Sequence, residues 1–393
     1  MKVLYIASET GMAGGSTKSL ITMISRMLEH GIEIEVICPD ENGLTQWLNE
    51  RGIKAHTARY ISVNLPPIQT VSNAIKWLPR FFYYSWINYR ARFKVNRIAR
   101  EFMPDIIHEN TSTINVGYHA SKSMNVPYIM HIREFGPLEF NMSVPGRKRR
   151  LKKNNTFSIP ITKALGKHLG LDSNPRSCQI YDGIVKSSDF RFYEEKKKWF
   201  LYAGRIEKAK GISDLLEAYA DYVRATPSPY PLYICGGCSL PSYFEQVKDF
   251  TVKAGIDSHI KWLGERTDIA DLMAQTVATV MPSRCEGLGR VMPEAMANGS
   301  LCVVRNNSGT KEQLDNGLQS TGSPIALAYE DNAQLTRLLI DITTTVEKGN
   351  AFSQDSDFRQ MIERSQSAVK KYFSEESFGR KILDFYNRIL SES

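Results

Sequence analysis

Two glutamates eight residues apart, Glu286 and Glu294, bracket a glycine-rich turn in Pro282-Ser-Arg-Cys-Glu286-Gly-Leu-Gly-Arg-Val-Met-Pro-Glu294-Ala-Met-Ala-Asn-Gly299. Carboxylates accept hydrogen bonds from sugar or ribose hydroxyls. Gly287 and Gly289 permit close backbone approach, and the N–H groups at a helix start favour negative charge, so a phosphate-sized anion suits the turn. The apolar run 277–281 predicts a buried strand and 291–297 the opening turns of a helix, which puts both carboxylates at one strand-to-helix junction. An ordinary βα junction with two solvated glutamates is the competing reading.

Other strand ends also carry polar groups. Pro104-Asp-Ile-Ile-His108-Glu-Asn110 and Pro127-Tyr-Ile-Met-His131-Ile-Arg133-Glu134 read as strands whose carboxyl ends deliver side chains to where open α/β sheets bind ligands. His131 is then either placed for contact or is a satisfied structural histidine. Gly11-Met-Ala-Gly14-Gly15-Ser-Thr17 turns the first strand into a helix, yet it meets neither nucleotide fingerprint: Lys18 lacks the glycine before a P-loop lysine, and the glycines do not space as Gly-x-Gly-x-x-Gly. Cys235-Gly-Gly-Cys238 has redox spacing but closes an apolar run, so a glycine-rich strand end is expected. No second Cys or His pair completes a zinc site, and no metal ligand is assigned.

The elements that must position these groups alternate. Strands are expected at 3–7, 33–38, 158–162, 200–203, 232–235, 259–263 and 301–304, with helices at 18–29, 43–51, 212–225, 243–254 and 269–274. Repeated βα units of this length imply a parallel, doubly wound sheet. After a Pro66-Pro67 break, Phe82, Trp86, Tyr89 and Phe93 stand at helical spacing, which predicts a buried stripe on a helix that Pro79 caps or kinks at its start. Phe81, Tyr83 and Tyr84 widen the apolar arc beyond one face. Phe378, Ile382, Phe385, Tyr386 and Ile389 mark a last amphipathic helix.

The Glu-x7-Glu arrangement within Glu-Gly-Leu-Gly-x4-Glu-Ala-Met-Ala-x-Gly resembles the signature of the retaining glycosyltransferases of family 4, the glycosyl transferases group 1 of bacterial surface-polysaccharide type. Gly204-Arg205-x4-Lys210-Gly211 resembles that family's Gly-Arg-x4-Lys-Gly element, and Asp182-Gly183-Ile184-Val185 its Asn-Gly-Val-Asp turn, with Asp182 replacing Asn. The resemblance implies the GT-B fold, an α/β architecture of two Rossmann-like domains facing each other across a cleft. These would be an acceptor-binding domain at 1–187, a nucleotide-sugar-binding domain at 188–372 and a helix at 373–393 crossing back to the first. It also implies roles. Arg205 and Lys210 would neutralise the departing diphosphate in place of a metal. Glu286 would hold donor-sugar hydroxyls, the backbone of Gly287, Leu288, Gly289 and Arg290 would touch sugar or phosphate, and Glu294 would hold the ribose. Gly204 and Arg266 would join the donor site, the latter where the nucleotide base stacks, and the Gly14-Gly15 turn resembles a donor-phosphate loop. His131 would lie near donor sugar and acceptor, although relatives place an acid directly after this histidine and Ile132 intervenes here.

Length and composition agree with two globular domains: 393 residues, 42% hydrophobic and 23% charged. The apolar run at the N-terminus is too short for a signal peptide, no run reaches the ~20 residues of a membrane span, and six scattered cysteines suggest a reducing cytoplasm. The net charge of +8 is uneven: 51–100 contains ten Lys or Arg and no acid, and a second acid-free stretch, 140–171, contains Arg147, Lys148, Arg149 and Arg150. Basic residues with aromatic belts suit anionic lipid headgroups. A solvated basic face is the bland alternative, and charge alone leaves nucleic acid open. Arg133, Glu134 and the basic run 147–150 are therefore read as an acceptor or membrane face.

The resulting expectation is a retaining, metal-independent hexosyl- or N-acetylhexosaminyltransferase without a cofactor. It would move a sugar from a nucleotide sugar, a UDP-sugar, to a lipid-linked glycan acceptor in cell-surface polysaccharide or glycoconjugate synthesis, peripheral on the inner face of the membrane. A non-catalytic sugar-nucleotide-binding partner subunit, and a transferase acting on a soluble or protein acceptor, are the alternatives.

Overall fold

The computed structural model describes residues 1–63, 65, 71–136, 143–238 and 240–392. The chain forms two compact units, Met1–Gly183 together with Glu375–Ser393, and Ile184–Ser374. Each is built on a six-stranded sheet, and every strand pair is parallel.

In the first unit the strands are β1 (Lys2–Ile6), β2 (Glu33–Cys38), β3 (Lys54–Thr57), β4 (Ile106–Glu109), β5 (Tyr128–Ile132) and β6 (Thr156–Pro160), in the order β3-β2-β1-β4-β5-β6. The central strands are buried because helices cover both faces: Val3 to Ile6 and Ile106 to Glu109 are fully buried, the polar His108 and Glu109 at the end of β4 included. Helix Gly15–Glu29 contributes Leu20, Met23, Ile24 and Met27 to the core.

Helix Glu375–Glu392 completes this core rather than that of the unit preceding it in sequence. Phe378, Ile382, Phe385, Tyr386 and Ile389, at i, i+4, i+7, i+8 and i+11, lie on one helical face and are all buried. The helix packs on Gly15–Glu29, where Arg26 pairs with Glu375 at 3.0 Å and Glu376 at 3.1 Å.

The aromatic basic segment departs from expectation. It is one helix, Val71–Phe102, with Pro79 inside it rather than at its start. Phe82, Trp86, Tyr89 and Phe93 are not buried but 65%, 55%, 55% and 63% exposed. The core-facing side consists instead of Ile87, Ala91, Val95, Ile98, Ala99 and Phe102. The physical reason is that apolar residues occupy two opposite faces, and the face of mostly smaller residues is the one that packs closely, against helix Val116–Met124. The Pro66-Pro67 break lies outside the described residues.

The second unit contains β7 (Lys197–Ala203), β8 (Leu232–Cys235), β9 (Ile260–Gly264), β10 (Thr276–Met281), β11 (Leu301–Arg305) and β12 (Leu327–Tyr329), ordered β12-β11-β10-β7-β8-β9. Its core joins Phe200, Tyr202 and Leu232 of the sheet to Leu215, Leu216 and Tyr219 of helix Ile212–Ala225 and to Leu335, Leu339 and Ile342 of helix Asn332–Glu347. Cys235 is a buried free thiol at the end of β8. Among the described residues no helix is long and apolar enough to cross a membrane.

Candidate functional site

In the second sheet the chain winds outward from β7 in one direction and from β10 in the other. The loops after these two neighbouring strands therefore diverge at the carboxyl edge of the sheet, where a crevice opens in doubly wound folds. They are the 204–211 loop and the 282–290 loop.

A close backbone approach ties them together. Gly211 has φ of 70°, and a Cβ there would lie 2.0 Å from the Pro282 carbonyl oxygen, so only glycine fits. Two residues along in each loop, the Arg284 N–H donates to the Ala209 carbonyl at 3.0 Å. This register sets Lys210 Nζ at 2.8 and 2.9 Å from the two carboxylate oxygens of Glu286, with both side chains less than a fifth exposed.

The glycine turn after Glu286 is held from behind by the start of helix Ser308–Thr321. Gly309 N–H donates to the Glu286 carbonyl at 3.1 Å, and a Cβ on Gly309 would lie 2.7 Å from the Gly287 carbonyl oxygen. The Gln313 amide donates to the carbonyls of Leu288 and Gly289, and the Asn307 amide to those of Ser283, at 3.1 Å, and Arg284, at 3.0 Å. Gly289 has φ of 76°, which favours its glycine. Gln313 was not anticipated; its one signal in sequence is its place a helical turn after Gly309.

The remaining expected donor residues spread along the same edge. Gly204 follows β7 and is packed by Gly236, where a Cβ would lie 1.9 Å from the Gly204 carbonyl oxygen. The Arg205 guanidinium is half-exposed and pairs with Glu207 at 3.0 Å. Its carbonyl accepts from the Tyr202 hydroxyl at 2.8 Å, and burial, reinforced by Glu286, pushes that phenol far above its usual range, so it stays a neutral donor. Arg290, immediately before helix Val291–Ala297, has its Nε 3.8 Å from Glu294 in the first turn of that helix, and both are partly buried. Arg266, after β9, is exposed and engages Asp268 at 2.8 and 2.6 Å rather than the glycine turn.

Beneath the turn, Asp214 accepts from Arg284 at 3.0 and 2.6 Å and from Arg305 at 2.6 Å. The Arg284 hydrogen bond, with Arg305 adding to it, holds this carboxyl below the ordinary aspartate range against the opposing effect of burial. A depressed folded-state pKa contributes stability that is complete above the unfolded value of about 3.9 and is lost as pH falls through the folded value. Asp214→Asn is accordingly expected to cost about 1–2 kcal/mol at pH 7, a few degrees in Tm. The gap between wild type and variant in thermal melts should narrow below about pH 4; a gap constant from pH 7 to pH 3 would refute the ion-pair account.

In the first sheet the switch point lies between β1 and β4. Gly14 precedes helix Gly15–Glu29 without a side-chain cap, and a Cβ on it would lie 2.2 Å from a Glu9 carboxylate oxygen. Asn110, at the end of β4, ties this turn down by donating to the Ser16 carbonyl at 3.0 Å. Beside it, Arg133 donates to the Asn110 carbonyl at 2.8 Å and pairs with Asp182, which also accepts from Ser19 at 2.7 Å.

His131 is fully buried at the end of β5. Its Nδ1 lies 3.2 Å from His108 Nε2, and His108 Nδ1 lies 2.6 Å from the hydroxyl of Tyr386 on the last helix, which in turn meets Tyr5 at 2.9 Å. Burial, with Arg133 adding to it, holds His131 well below the usual histidine range and His108 down at about 3, so both imidazoles are neutral at physiological pH. His131 Nε2 is buried 3.8 Å from Asp182.

The basic run 147–150 is not a single surface. Arg147 and Arg150 are buried: the first donates to Ser112 at 3.1 Å and to the Glu134 carbonyl at 3.2 Å, the second to the Ser112 carbonyl at 3.0 Å. Only Lys148 and Arg149 of the four are exposed. The two buried arginines, three apart on helix Arg147–Leu151, face loop carbonyls that need donors, and Glu134 is engaged by Ser112 at 2.6 Å.

No group of three or more His, Cys, Asp or Glu placed to hold a metal ion occurs among the described residues.

Residues 186–355 match the family model described as Glycosyl transferases group 1. An uncharacterised glycosyltransferase of Methanocaldococcus jannaschii is 25% identical over 219 residues, 54% of this chain and 59% of that protein. The chain spans about half the length of the first curated relatives it matches. The N,N'-diacetylbacillosaminyl-diphospho-undecaprenol alpha-1,3-N-acetylgalactosaminyltransferase of Campylobacter jejuni is 20% identical over 94% of each chain. Among solved structures, Anabaena HepE in complex with UDP-glucose aligns with a TM-score of 0.74 at 18% identity, covering 99% of this chain and 100% of that one.

Proposed function

We propose, for a chain that carries a glycosyl transferases group 1 domain on the GT-B fold of two Rossmann-like domains, transfer of a sugar with retention from a UDP-sugar to a lipid-linked glycan acceptor. The observation that carries this reading is the pairing of Lys210 with Glu286 at the switch point of the second sheet, a cation and a carboxylate held side by side behind a glycine turn. A nucleotide diphosphate needs the cation and sugar hydroxyls need the carboxylate.

In this reading Lys210 and Arg205 neutralise the diphosphate as the bond to the anomeric carbon breaks, and Glu286 orients the sugar. The backbone from Gly287 to Arg290 lies against sugar or phosphate, Glu294 holds the ribose, and Gly204 and Arg266 flank the nucleotide. The acceptor oxygen bonds to the anomeric carbon on the face the diphosphate leaves, and its proton passes to a departing phosphate oxygen. On the first unit, Gly14 and Gly15 approach donor phosphate, while Arg133 and Glu134 line the acceptor side with the buried His131 beneath them. His131 serves as a neutral hydrogen-bonding group, not a cation.

The UDP-glucose bound by HepE supports the choice of donor class, and the diphospho-undecaprenol in the Campylobacter enzyme's name supports a lipid-linked acceptor and a role in surface polysaccharide or glycoconjugate synthesis. Such an acceptor would place the enzyme peripherally on the inner face of the membrane.

The test is a panel of UDP-hexoses and UDP-N-acetylhexosamines, scored for UDP release with and without a polyprenyl-diphosphate-linked sugar and for the anomeric configuration of any product. Transfer with retention is expected for one donor. Donor binding without transfer or hydrolysis for any of them would identify a non-catalytic sugar-nucleotide-binding subunit instead.

A further inference from the structure

Helix Val71–Phe102 presents apolar residues to solvent on the face opposite its packed side. At ~100° per residue, Ile75, Leu78, Phe82, Trp86, Tyr89 and Phe93 fall within an arc of roughly 80°, a stripe about 27 Å long. All six are exposed, whereas Ile87, Ala91, Val95, Ile98 and Ala99 hold the far side in the first unit. A soluble surface leaves single apolar residues exposed, but a continuous stripe of six marks an interaction site.

The charge around the stripe says what covers it. Arg90, Lys94 and Arg97 are exposed along one flank, Arg90 lies over the Trp86 ring at 5.2 Å, and no acid occurs from residue 51 to residue 100. A second copy packed stripe to stripe would bring these cations beside their equivalents with few acids to pair them. An anionic lipid surface instead accepts the cations at its headgroups and the Trp, Tyr and Phe rings at the boundary with the acyl chains.

We propose that this helix is the docking surface of the first unit for an anionic bilayer. It lies in the plane of the interface, because its opposite face is committed to the protein core. The inference deepens the reading of a lipid-linked acceptor, and its test reads vesicle binding rather than turnover, so either can fail alone.

Flotation with vesicles of phosphatidylcholine alone and of phosphatidylcholine mixed with phosphatidylglycerol provides the test. Wild type should float with the mixed vesicles at low salt and keep part of that binding at high salt, since apolar burial is not screened. Phe82→Ser/Trp86→Ser/Phe93→Ser should bind mixed vesicles at least about tenfold more weakly at both salts, with an unchanged melting curve and unchanged UDP release from the donor in solution. Arg90→Ser/Lys94→Ser/Arg97→Ser should lose the salt-sensitive part and keep the rest. Undiminished binding by the triple aromatic variant, or equal binding of wild type to both vesicle types, would overturn the proposal. So would a wild-type dimer in sedimentation that this variant converts to monomer, with no binding to vesicles.

Discussion

Lys210→Ala is expected to lower kcat/KM for the nucleotide-sugar donor by about one to two decades, the ~1.5–3 kcal/mol of a charge-assisted contact to diphosphate. Two effects act in the same direction. The diphosphate loses a fixed cation, and Glu286, now without the partner 2.8 Å away, becomes an uncompensated carboxylate in a largely buried position that repels the donor. The second effect has a signature. Glu286→Gln removes that charge but keeps hydrogen-bonding capacity toward sugar hydroxyls, so introducing it beside Lys210→Ala should recover part of the loss. The two changes should be non-additive by about 0.5–3 kcal/mol. Donor Kd by calorimetry and kcat/KM across the four members of the cycle measure this. Near-wild-type kinetics for Lys210→Ala would remove the leaving-group role, and strict additivity would remove the coupling. Arg205→Ala should act through the same diphosphate with less secondary damage, because its partner Glu207 is more accessible to water than Glu286.

Gly211→Ala is expected to damage stability and donor binding together. A non-glycine residue at φ of 70° is strained by about 1 kcal/mol, and the added carbon meets the Pro282 carbonyl at 2.0 Å, a backbone atom that cannot rotate away. The 204–211 and 282–290 loops must then part, which adds about 1–3 kcal/mol and moves Lys210 away from Glu286. Gly255→Ala is the matched control. Its φ is 69°, but its Cβ would meet nothing within 4 Å, so it should show the backbone strain alone and leave donor affinity unchanged. Equal Tm losses and equal donor affinities for the two variants would show that the close approach has no functional weight.

What was legible in the sequence depended on how local its physics was. Strands β2 and β8 and helices Ile212–Ala225 and Val291–Ala297 coincide with the stretches expected from apolar periodicity and glycine punctuation. The four-residue β3, with Lys54, His56 and Thr57, lies at a sheet edge and carries no apolar run to announce it. Lys210 and Glu286 could each be singled out from neighbouring glycines, but their pairing across 76 residues follows from β7 and β10 being adjacent, a fact of sheet order. The 71–102 helix was recognisable while its orientation was not, because periodicity identifies an apolar face without saying which of two meets the core. Arg147 and Arg150 were misplaced for the converse reason. Charge reads as surface until the carbonyls that accept from it, more than ten residues away in Ser112 and Glu134, are known.

The helix Glu375–Glu392 closes the core of a unit whose other elements all precede residue 184. On a ribosome, the second unit, which is continuous in sequence, has its full set of elements before the first does. The first must wait, with Tyr5, His108 and Phe157 lacking their partners Tyr386 and Phe385, until some two hundred further residues have emerged. Until then its sheet exposes the apolar groove this helix later fills, which is the state in which a newly made chain is most open to proteases and chaperones.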